Sequence, residues 1–222
     1  MPLAAVLGTD PFVIPDGIDD LASFREWVHN TDLPEKLPVH YLHGHVWVDY
    51  EMEEVFSHNR VKYAFHLVLG NFVRANKLGV LYPDGMRYTS LDAEASTEPD
   101  ATFVSAETIA AERIEFTAGP KGVATEMLGT PDLVVEVVSR TSTDKDTDWL
   151  KDIYFAAGIP EYWLIDARDR DAIQFVLFTR GRKAYRAVKP AGGWVKSPTF
   201  GKEFRLRVVE EYGLADCVLD IR

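Results

Sequence analysis

The sequence predicts an α/β fold in which a mixed β-sheet is flanked by helices, and three consecutive segments support this prediction. Residues 131–139 are almost continuously apolar, as in a central strand covered on both faces. Residues 142–158 have one apolar stripe at helical spacing and end at Gly158, before Pro160. Residues 161–166 have the composition of a second strand. A strand, a helix and a strand in this order make a βαβ unit, so we expect the two strands to be parallel.

The other elements follow from the same hydrophobic periods. Helices are expected at residues 20–28 and from Ser57, a suitable N-cap, to near Gly79. Strands are expected at 41–49, 80–82, 86–88 and 99–104, and at 173–179 and 183–188, which form a hairpin around Gly181. Residues 106–125 favour neither helix nor strand.

Length and composition favour one soluble domain. The 222 residues fit a single domain over 1–222, and residues 1–19, rich in Pro, Gly and Asp, are expected to form an N-terminal arm. The single cysteine, Cys217, excludes an internal disulfide and a cysteine-based zinc site. We find no secretion signal and no apolar run of the ~18 residues that a membrane helix needs. We therefore expect a cytoplasmic protein without membrane contact.

The charge of the chain is strongly uneven. A net charge of −11 argues against tight, non-specific binding of nucleic acid. Residues 168–207, however, contain eleven Lys and Arg against three Asp and Glu. This basic segment indicates either an anionic partner for one face or a solvated basic hairpin, and the sequence leaves both open.

Glu136 interrupts the apolar strand at 131–139. A carboxylate inside a buried strand is costly unless it is paired, hydrogen-bonded or bound to a metal. Asp132 is four residues away, ~13 Å along a strand, and is too distant to share one metal ion with Glu136. The partner must come from a neighbouring strand, and Asp100, at the start of its own strand, is the candidate. Two carboxylates from adjacent strands, with waters and a phosphate oxygen, suit Mg²⁺.

Simpler roles stay open for these residues. Glu136 could form a buried ion pair with a lysine or arginine, and Pro99-Asp100 is also common turn chemistry. His43 and His45 would share a strand face, but no third ligand is evident, so a zinc site is the less favoured interpretation.

The same residues carry a resemblance to a known family. The sequence resembles the Uma-type family of restriction endonucleases, in the PD-(D/E)XK nuclease superfamily, over roughly residues 38–207. The resemblance is carried by Pro99-Asp100, by the strand at 131–139 and by the block Gly158-Ile159-Pro160-Glu161-Tyr162-Trp163, in this order and spacing. It implies a restriction-endonuclease-like core and hydrolysis of DNA that depends on Mg²⁺, with Mn²⁺ as a substitute.

By this resemblance, Asp100 matches the first metal-binding aspartate of the superfamily, and Glu136 matches the acidic residue of the (D/E)XK strand. A metal ion polarises the scissile phosphate and lowers the pKa of a bound water, while a lysine orients that water and offsets developing charge. Glu54, just before the Ser57 helix, is a further candidate metal ligand, although a solvated acidic helix start is the simpler interpretation.

The sequence departs from the family pattern at the lysine. Val138 stands where the motif has this residue. In the family the lysine is usually taken to have moved to the following helix, where Leu150 aligns with it. Lys151, next to Leu150, and Lys145, at the helix start, are the two candidates, and a solvated surface position is open for each.

We therefore expect a Mg²⁺-dependent endonuclease that acts on DNA. A homodimer is expected, because cutting two strands with one site per chain favours two-fold symmetry. The missing lysine and the acidic charge favour an alternative, a catalytically weak or inactive protein of this fold with a binding or regulatory role. A metal-dependent hydrolase of small phosphate esters is a third hypothesis.

Overall fold

In the part of the chain that the structure describes, strands form three sheets, and helices pack on and between them. The computed structural model describes residues 14–31, 33, 37–49, 54–119, 122–139, 149–170 and 172–222. The helices are α1 (Leu21–Asn30), α2 (Val61–Asn76), α3 (Ala106–Ala110) and α4 (Leu150–Ala156), and a π-helical turn (Val55–Arg60) leads into α2. The strands are β1 (Val39–Leu42), β2 (His45–Val48), β3 (Gly79–Pro83), β4 (Arg87–Ser90), β5 (Ala95–Thr97), β6 (Ala101–Ser105), β7 (Ile114–Ala118), β8 (Ala124–Gly129), β9 (Leu133–Val137), β10 (Glu161–Asp166), β11 (Gln174–Arg180), β12 (Tyr185–Ala187), β13 (Val195–Ser197), β14 (Lys202–Glu211) and β15 (Leu214–Ile221).

The central sheet has the order β12-β11-β10-β9-β6-β3. β9 and β10 are parallel, with Glu161 opposite Leu133, as the βαβ pattern predicted. The other neighbours in this sheet are antiparallel. This mixed sheet with helices on its faces confirms the predicted fold class.

Side-chain alternation along β9 separates the two faces of the central sheet. Val135 and Val137 pack in one core cluster with Phe65 of α2. Val134 packs in a second cluster with Tyr154 of α4. Because the period of a strand is two, Glu136 shares the face of Val134 and points towards α4.

The other two sheets complete the packing. One has the order β2-β1-β5-β4-β8-β7, and α1 packs through Phe24 against Tyr41 of β1. The third sheet, β13-β14-β15, contributes Phe204 and Leu219 to the cluster that contains α2. Helix α2 is therefore enclosed between the central and the third sheet. Cys217 is buried on β15, and this burial raises the pKa of its thiol to about 11.

The single strand predicted at 41–49 is wrong, because β1 and β2 form a hairpin there. Leu42 pairs with His45, and the intervening His43 and Gly44 have φ values of 50° and 78°. Two residues with positive φ form the type of turn whose twist matches that of the flanking strands. His43 therefore lies in the turn and does not share a strand face with His45.

The predicted start of the long helix also needs correction. The helical backbone begins at Val55, two residues before Ser57, and Glu54 is its N-cap, with its carboxylate accepting the backbone N–H of Ser57. The strands predicted at 80–82 and 86–88 lie in different sheets, since β3 pairs with β6 and β4 pairs with β5.

Some predictions fall on residues outside the described ranges. They include most of the arm at 1–19 and the first part of the helix predicted at 142–158, of which α4 is the described portion. In the described part of the chain, no helix combines the length and apolar character needed to cross a membrane.

Candidate active site

Asp100 and Glu136 lie at the same end of two neighbouring strands. β6 and β9 are antiparallel with Ala101 opposite Val135, so Asp100, just before β6, and Glu136, just after Val135, follow at the next position of this register. The Oδ2 atom of Asp100 accepts the backbone N–H of Val137 at 2.6 Å. Only 8% of Asp100 and 5% of Glu136 are exposed. The structure therefore brings two buried carboxylates to one end of the central sheet.

Glu136 is held from the α4 side of the sheet. The hydroxyl group of Tyr154, a buried residue of α4, donates a hydrogen bond to the Oε1 atom of Glu136. This contact offsets part of the cost of placing a carboxylate on a covered strand. It also fixes the direction in which the carboxylate points.

Side chains on one face of α2 and of the π-helical turn before it contact Asp100. The Nζ atom of Lys62 lies 3.1 Å from Oδ1 of Asp100. The Nε2 atom of His58 lies 3.9 Å from Oδ2, and Nε2 of His66 lies 2.7 Å from the backbone carbonyl oxygen of the same residue. Spacing by four residues places such side chains on one face of a helix. Three side chains of that face thus converge on one aspartate.

The donor chemistry of the acidic pair fits a hard divalent cation. Mg²⁺ prefers carboxylate oxygens and is commonly held by one or two carboxylates with several waters. Asp100 and Glu136 supply such oxygens at one sheet end. In the described ranges, no group of three or more His, Cys, Asp and Glu side chains is arranged to hold a metal ion. The pair therefore fits an ion with few protein ligands and does not fit a site built entirely from side chains.

Glu54 lies at the helix start and serves as a cap. Its carboxylate accepts the N–H of Ser57 and lies 3.8 Å from the guanidinium group of Arg170. Hydrogen bonds from the side chain and backbone of Ser57 hold the pKa of Glu54 below its ordinary value. Among the described contacts, none joins its carboxylate to Asp100 or Glu136.

The structure does not bring Lys151 to the acidic pair. Its Nζ atom lies over the ring of Phe178, 5.2 Å from the ring centre. Phe178 is on β11, two strands from β9, and two strand spacings are roughly 10 Å. Lys145 lies outside the described residues. Val138 and Leu150, at the two positions where a lysine is expected, are both buried.

Sequence reasoning missed Lys62. The residue lies on the helix that was predicted from its apolar stripe, where a lysine gives no local signal. Its contact with Asp100 joins positions that are distant in sequence. The signal that could have found it is the spacing by four of His58, Lys62 and His66, three polar residues on one face of a mostly apolar helix.

The basic segment is spread over two sheets. Its last part lies on β13 and β14 of the third sheet, and its first part, up to β12, lies at the two ends of the central sheet. β11 is antiparallel to β10, with Thr179 opposite Glu161, so the turn before β12 lies at the end opposite Glu136. The connection that follows β10 lies at the same end as Glu136 and carries Arg168 and Arg170. The guanidinium group of Arg168 is paired with Asp166 at 2.6 Å.

A mixed sheet with a helix against each face and an acidic pair at the end of two central strands defines a restriction-endonuclease-like fold. The sequence model of the Uma2 family, described as "Putative restriction endonuclease", matches residues 22–209. The chain belongs to this family, which confirms the resemblance.

A solved structure of another protein has a similar fold. A crystal structure from Anabaena variabilis ATCC 29413, described as "a putative nuclease belonging to DUF820", is similar with a TM-score of 0.55 and 18% sequence identity, over 82% of this chain and 90% of that one. At this identity the similarity shows the fold alone. No match was found among curated proteins.

Proposed function

We propose that this protein is a metal-dependent endonuclease that hydrolyses DNA phosphodiester bonds. The observation that carries the proposal is the placement of Asp100 and Glu136, two buried carboxylates, at one end of the strand pair β6 and β9. Membership of the Uma2 family supports the same reaction class. Fold alone would not, because one fold hosts many functions.

The reaction is a hydrolysis whose only reactants are water and a phosphodiester. The oxygen of a water molecule bonds to phosphorus, and the bond from phosphorus to the leaving sugar oxygen breaks. The leaving oxygen takes up a proton, so the products are a phosphate monoester and an alcohol. The proton that the attacking water loses is released to a base or to solvent.

Asp100 and Glu136 would hold Mg²⁺, or Mn²⁺ as a substitute. The bound ion supplies Lewis acidity, which polarises the scissile phosphate and acidifies water. The N–H of Val137 and the hydroxyl of Tyr154 orient the two carboxylates. Preorganised carboxylates avoid the cost of ordering when the ion and the substrate bind.

DNA is the favoured substrate, although the chain is acidic overall. Arg168 and Arg170 lie on the connection after β10, at the sheet end that carries Glu136, and guanidinium groups bind phosphates in a bidentate manner.

A homodimer would place two such sites on the two strands of a duplex. Sedimentation velocity tests this assembly directly, and a monomer at micromolar concentration would contradict it.

The test of the proposed activity is cleavage of supercoiled plasmid and of single-stranded DNA with Mg²⁺ or Mn²⁺. The variant is Glu136→Gln, which keeps the size of the side chain, and the matched control is Glu107→Gln, where the carboxylate is 88% exposed. We expect metal-dependent cutting that falls at least ~100-fold in Glu136→Gln and is unchanged in the control. Equal cutting by wild type and Glu136→Gln would show that the activity comes from elsewhere.

A second candidate is a binding or regulatory protein that has lost efficient cleavage. The specific observation in its favour is Leu150, which is fully buried where the family's lysine would stand. Metal and DNA binding at the acidic pair without any cleavage by wild type would favour it. Inhibition of cleavage by excess nucleotide would instead favour a hydrolase of small phosphate esters.

A further inference from the structure

Lys62 is a buried lysine in the wall of the candidate site. Only 7% of the residue is exposed, and lysine is almost never buried to this extent unless it is paired. It lies in the first turn of α2, directly after Val61, which is fully buried in the core cluster. The packing of this helix between two sheets therefore fixes where the lysine side chain starts.

The ammonium group of Lys62 bridges two carboxylates. It lies 3.1 Å from Oδ1 of Asp100 and also donates to Oδ2 of Asp84, on the connection between β3 and β4. The side chain of Asp84 is 41% exposed, while that of Asp100 is 12% exposed. The ammonium group thus lies between the buried interior of the acidic pair and a carboxylate that faces solvent.

No other lysine in the described ranges contacts either carboxylate of the acidic pair. The ammonium group of Lys151 lies over an aromatic ring, and the two positions where the pattern expects a lysine hold buried Val138 and Leu150. A hydrolytic site of this class needs a cation that orients water and offsets the charge developing on the phosphate. Lys62 is the described side chain with the right charge and position.

We propose that Lys62 is the catalytic lysine of this protein, supplied from α2 in place of the residue missing after Glu136. This inference rests on the proposed function. The ammonium group hydrogen-bonds the attacking water and faces the non-bridging oxygens of the scissile phosphate. Asp84 is a positioning residue that holds the ammonium group at the mouth of the site.

A purely structural lysine is the competing explanation, and it predicts different measurements. If Lys62 only neutralised Asp84 and Asp100, its removal would lower the free energy of unfolding and would leave the turnover of the folded protein nearly unchanged. If it acts on water and phosphate, its removal lowers kcat with little change in KM or in metal affinity. Removing a positive charge beside Asp100 should moreover tighten cation binding.

The experiment compares wild type with Lys62→Met, Lys62→Gln and Glu136→Gln. Lys77→Met is the matched control, because Lys77 is exposed at the end of the same helix, fifteen residues or about 22 Å away. For each protein we would measure the unfolding temperature, Mn²⁺ binding by calorimetry, DNA binding in Ca²⁺, and kcat and KM for plasmid cleavage in Mg²⁺. Lys62→Gln keeps hydrogen-bonding capacity and is the variant to measure if Lys62→Met does not fold.

We expect both Lys62 variants to lose at least ~100-fold in kcat, with KM within about threefold of wild type and Mn²⁺ binding as tight or tighter. Glu136→Gln should lose Mn²⁺ binding and cleavage together. A folded Lys62 variant that cleaves within threefold of wild type overturns the role of Lys62 and leaves the proposed function intact. A wild type that binds Mn²⁺ but cleaves no DNA overturns both.

Discussion

The buried carboxylate of Glu126 should make the stability of this protein depend on Arg25 and on pH. Glu126 lies on β8 with a fully buried side chain, and Arg25 of α1 binds both of its oxygens at 2.8 Å. The Nε2 atom of His29 lies 3.0 Å from the same carboxylate. This ion pair joins α1 to a strand about a hundred residues later in the chain.

The magnitude follows from the pKa of Glu126. Burial alone would raise this pKa, but hydrogen bonds from Arg25, Thr89 and His29 outweigh burial and lower it from 4.5 to about 2. At ~1.36 kcal/mol per pKa unit, the charged carboxylate contributes about 3 kcal/mol of stability at neutral pH. Because the folded-state pKa is depressed, this contribution is present above pH 4.5 and is lost as the pH falls towards 2. About 1.4 kcal/mol of it remains at pH 3.

The Arg25→Met variant leaves Glu126 buried with its main cation removed. We expect the free energy of unfolding to fall by about 3 kcal/mol at pH 7 and by about half of that at pH 3, measured by urea titration at each pH. Glu107→Gln is the control, because its carboxylate is 88% exposed and lies 3.5 Å from Arg113, and such pairs contribute under about 1 kcal/mol. A loss in Arg25→Met that is below 1 kcal/mol at pH 7, or equal at the two pH values, would contradict the role assigned to the Arg25–Glu126 ion pair.

Four further predictions concern stability, each measured by urea titration. Tyr154→Phe removes the hydroxyl that donates to buried Glu136 and should cost about 1–3 kcal/mol without changing the far-UV circular dichroism spectrum. Glu161→Gln should cost about 2 kcal/mol, because its carboxylate accepts two N–H donors and an amide can accept only on one side. Gly70→Ala should stabilise the protein by about 0.5–1 kcal/mol, because Gly70 is inside α2 with open space around a new methyl group. Gly129→Ala should cost more than about 2 kcal/mol, because φ is 107° and the methyl group would meet a backbone oxygen at 2.2 Å.

Each of these predictions has a result that would contradict it. Equal stability of Tyr154→Phe and wild type would mean that Glu136 keeps its hydrogen bonding without the hydroxyl. An unchanged Glu161→Gln would show that one of the two donors contributes nothing. The two glycine variants control each other, so equal effects would contradict the conformational argument.

The sequence predicted the centre of the fold better than its edges. Residues 131–139 are almost continuously apolar, residues 161–166 have the composition of a strand, and a helical pattern lies between them. The parallel pairing of the two strands therefore followed from local pattern alone. The hairpin turn at His43 and Gly44 was missed because aromatic and β-branched residues run through both of its strands. No local pattern separated β3 and β4 into different sheets, since strand partners are set by contacts distant in sequence.

The candidate site divides in the same way. A carboxylate inside an apolar strand is conspicuous, so the sequence predicted Glu136 directly. Asp100 was predicted because a partner had to come from the next strand, and the structure places the two residues at one end of the sheet. Lys62 was missed because a lysine on a helix is ordinarily solvated. Only the folded structure shows that its ammonium group contacts both Asp84 and Asp100.

The block at 158–163, which helped to carry the family resemblance, has a structural role. The carboxylate of Glu161 accepts the indole N–H of Trp163 at 2.5 Å and the backbone N–H of Thr199, in the turn between β13 and β14, at 2.9 Å. Glu161 thus ties the central sheet to the third sheet, at the end of β10 away from Glu136. A relative that kept this block would still be recognised by sequence, even if it had lost catalytic activity. Inference of activity across such relatives should therefore begin from the proposed metal ligands, Asp100 and Glu136, and the proposed cation Lys62.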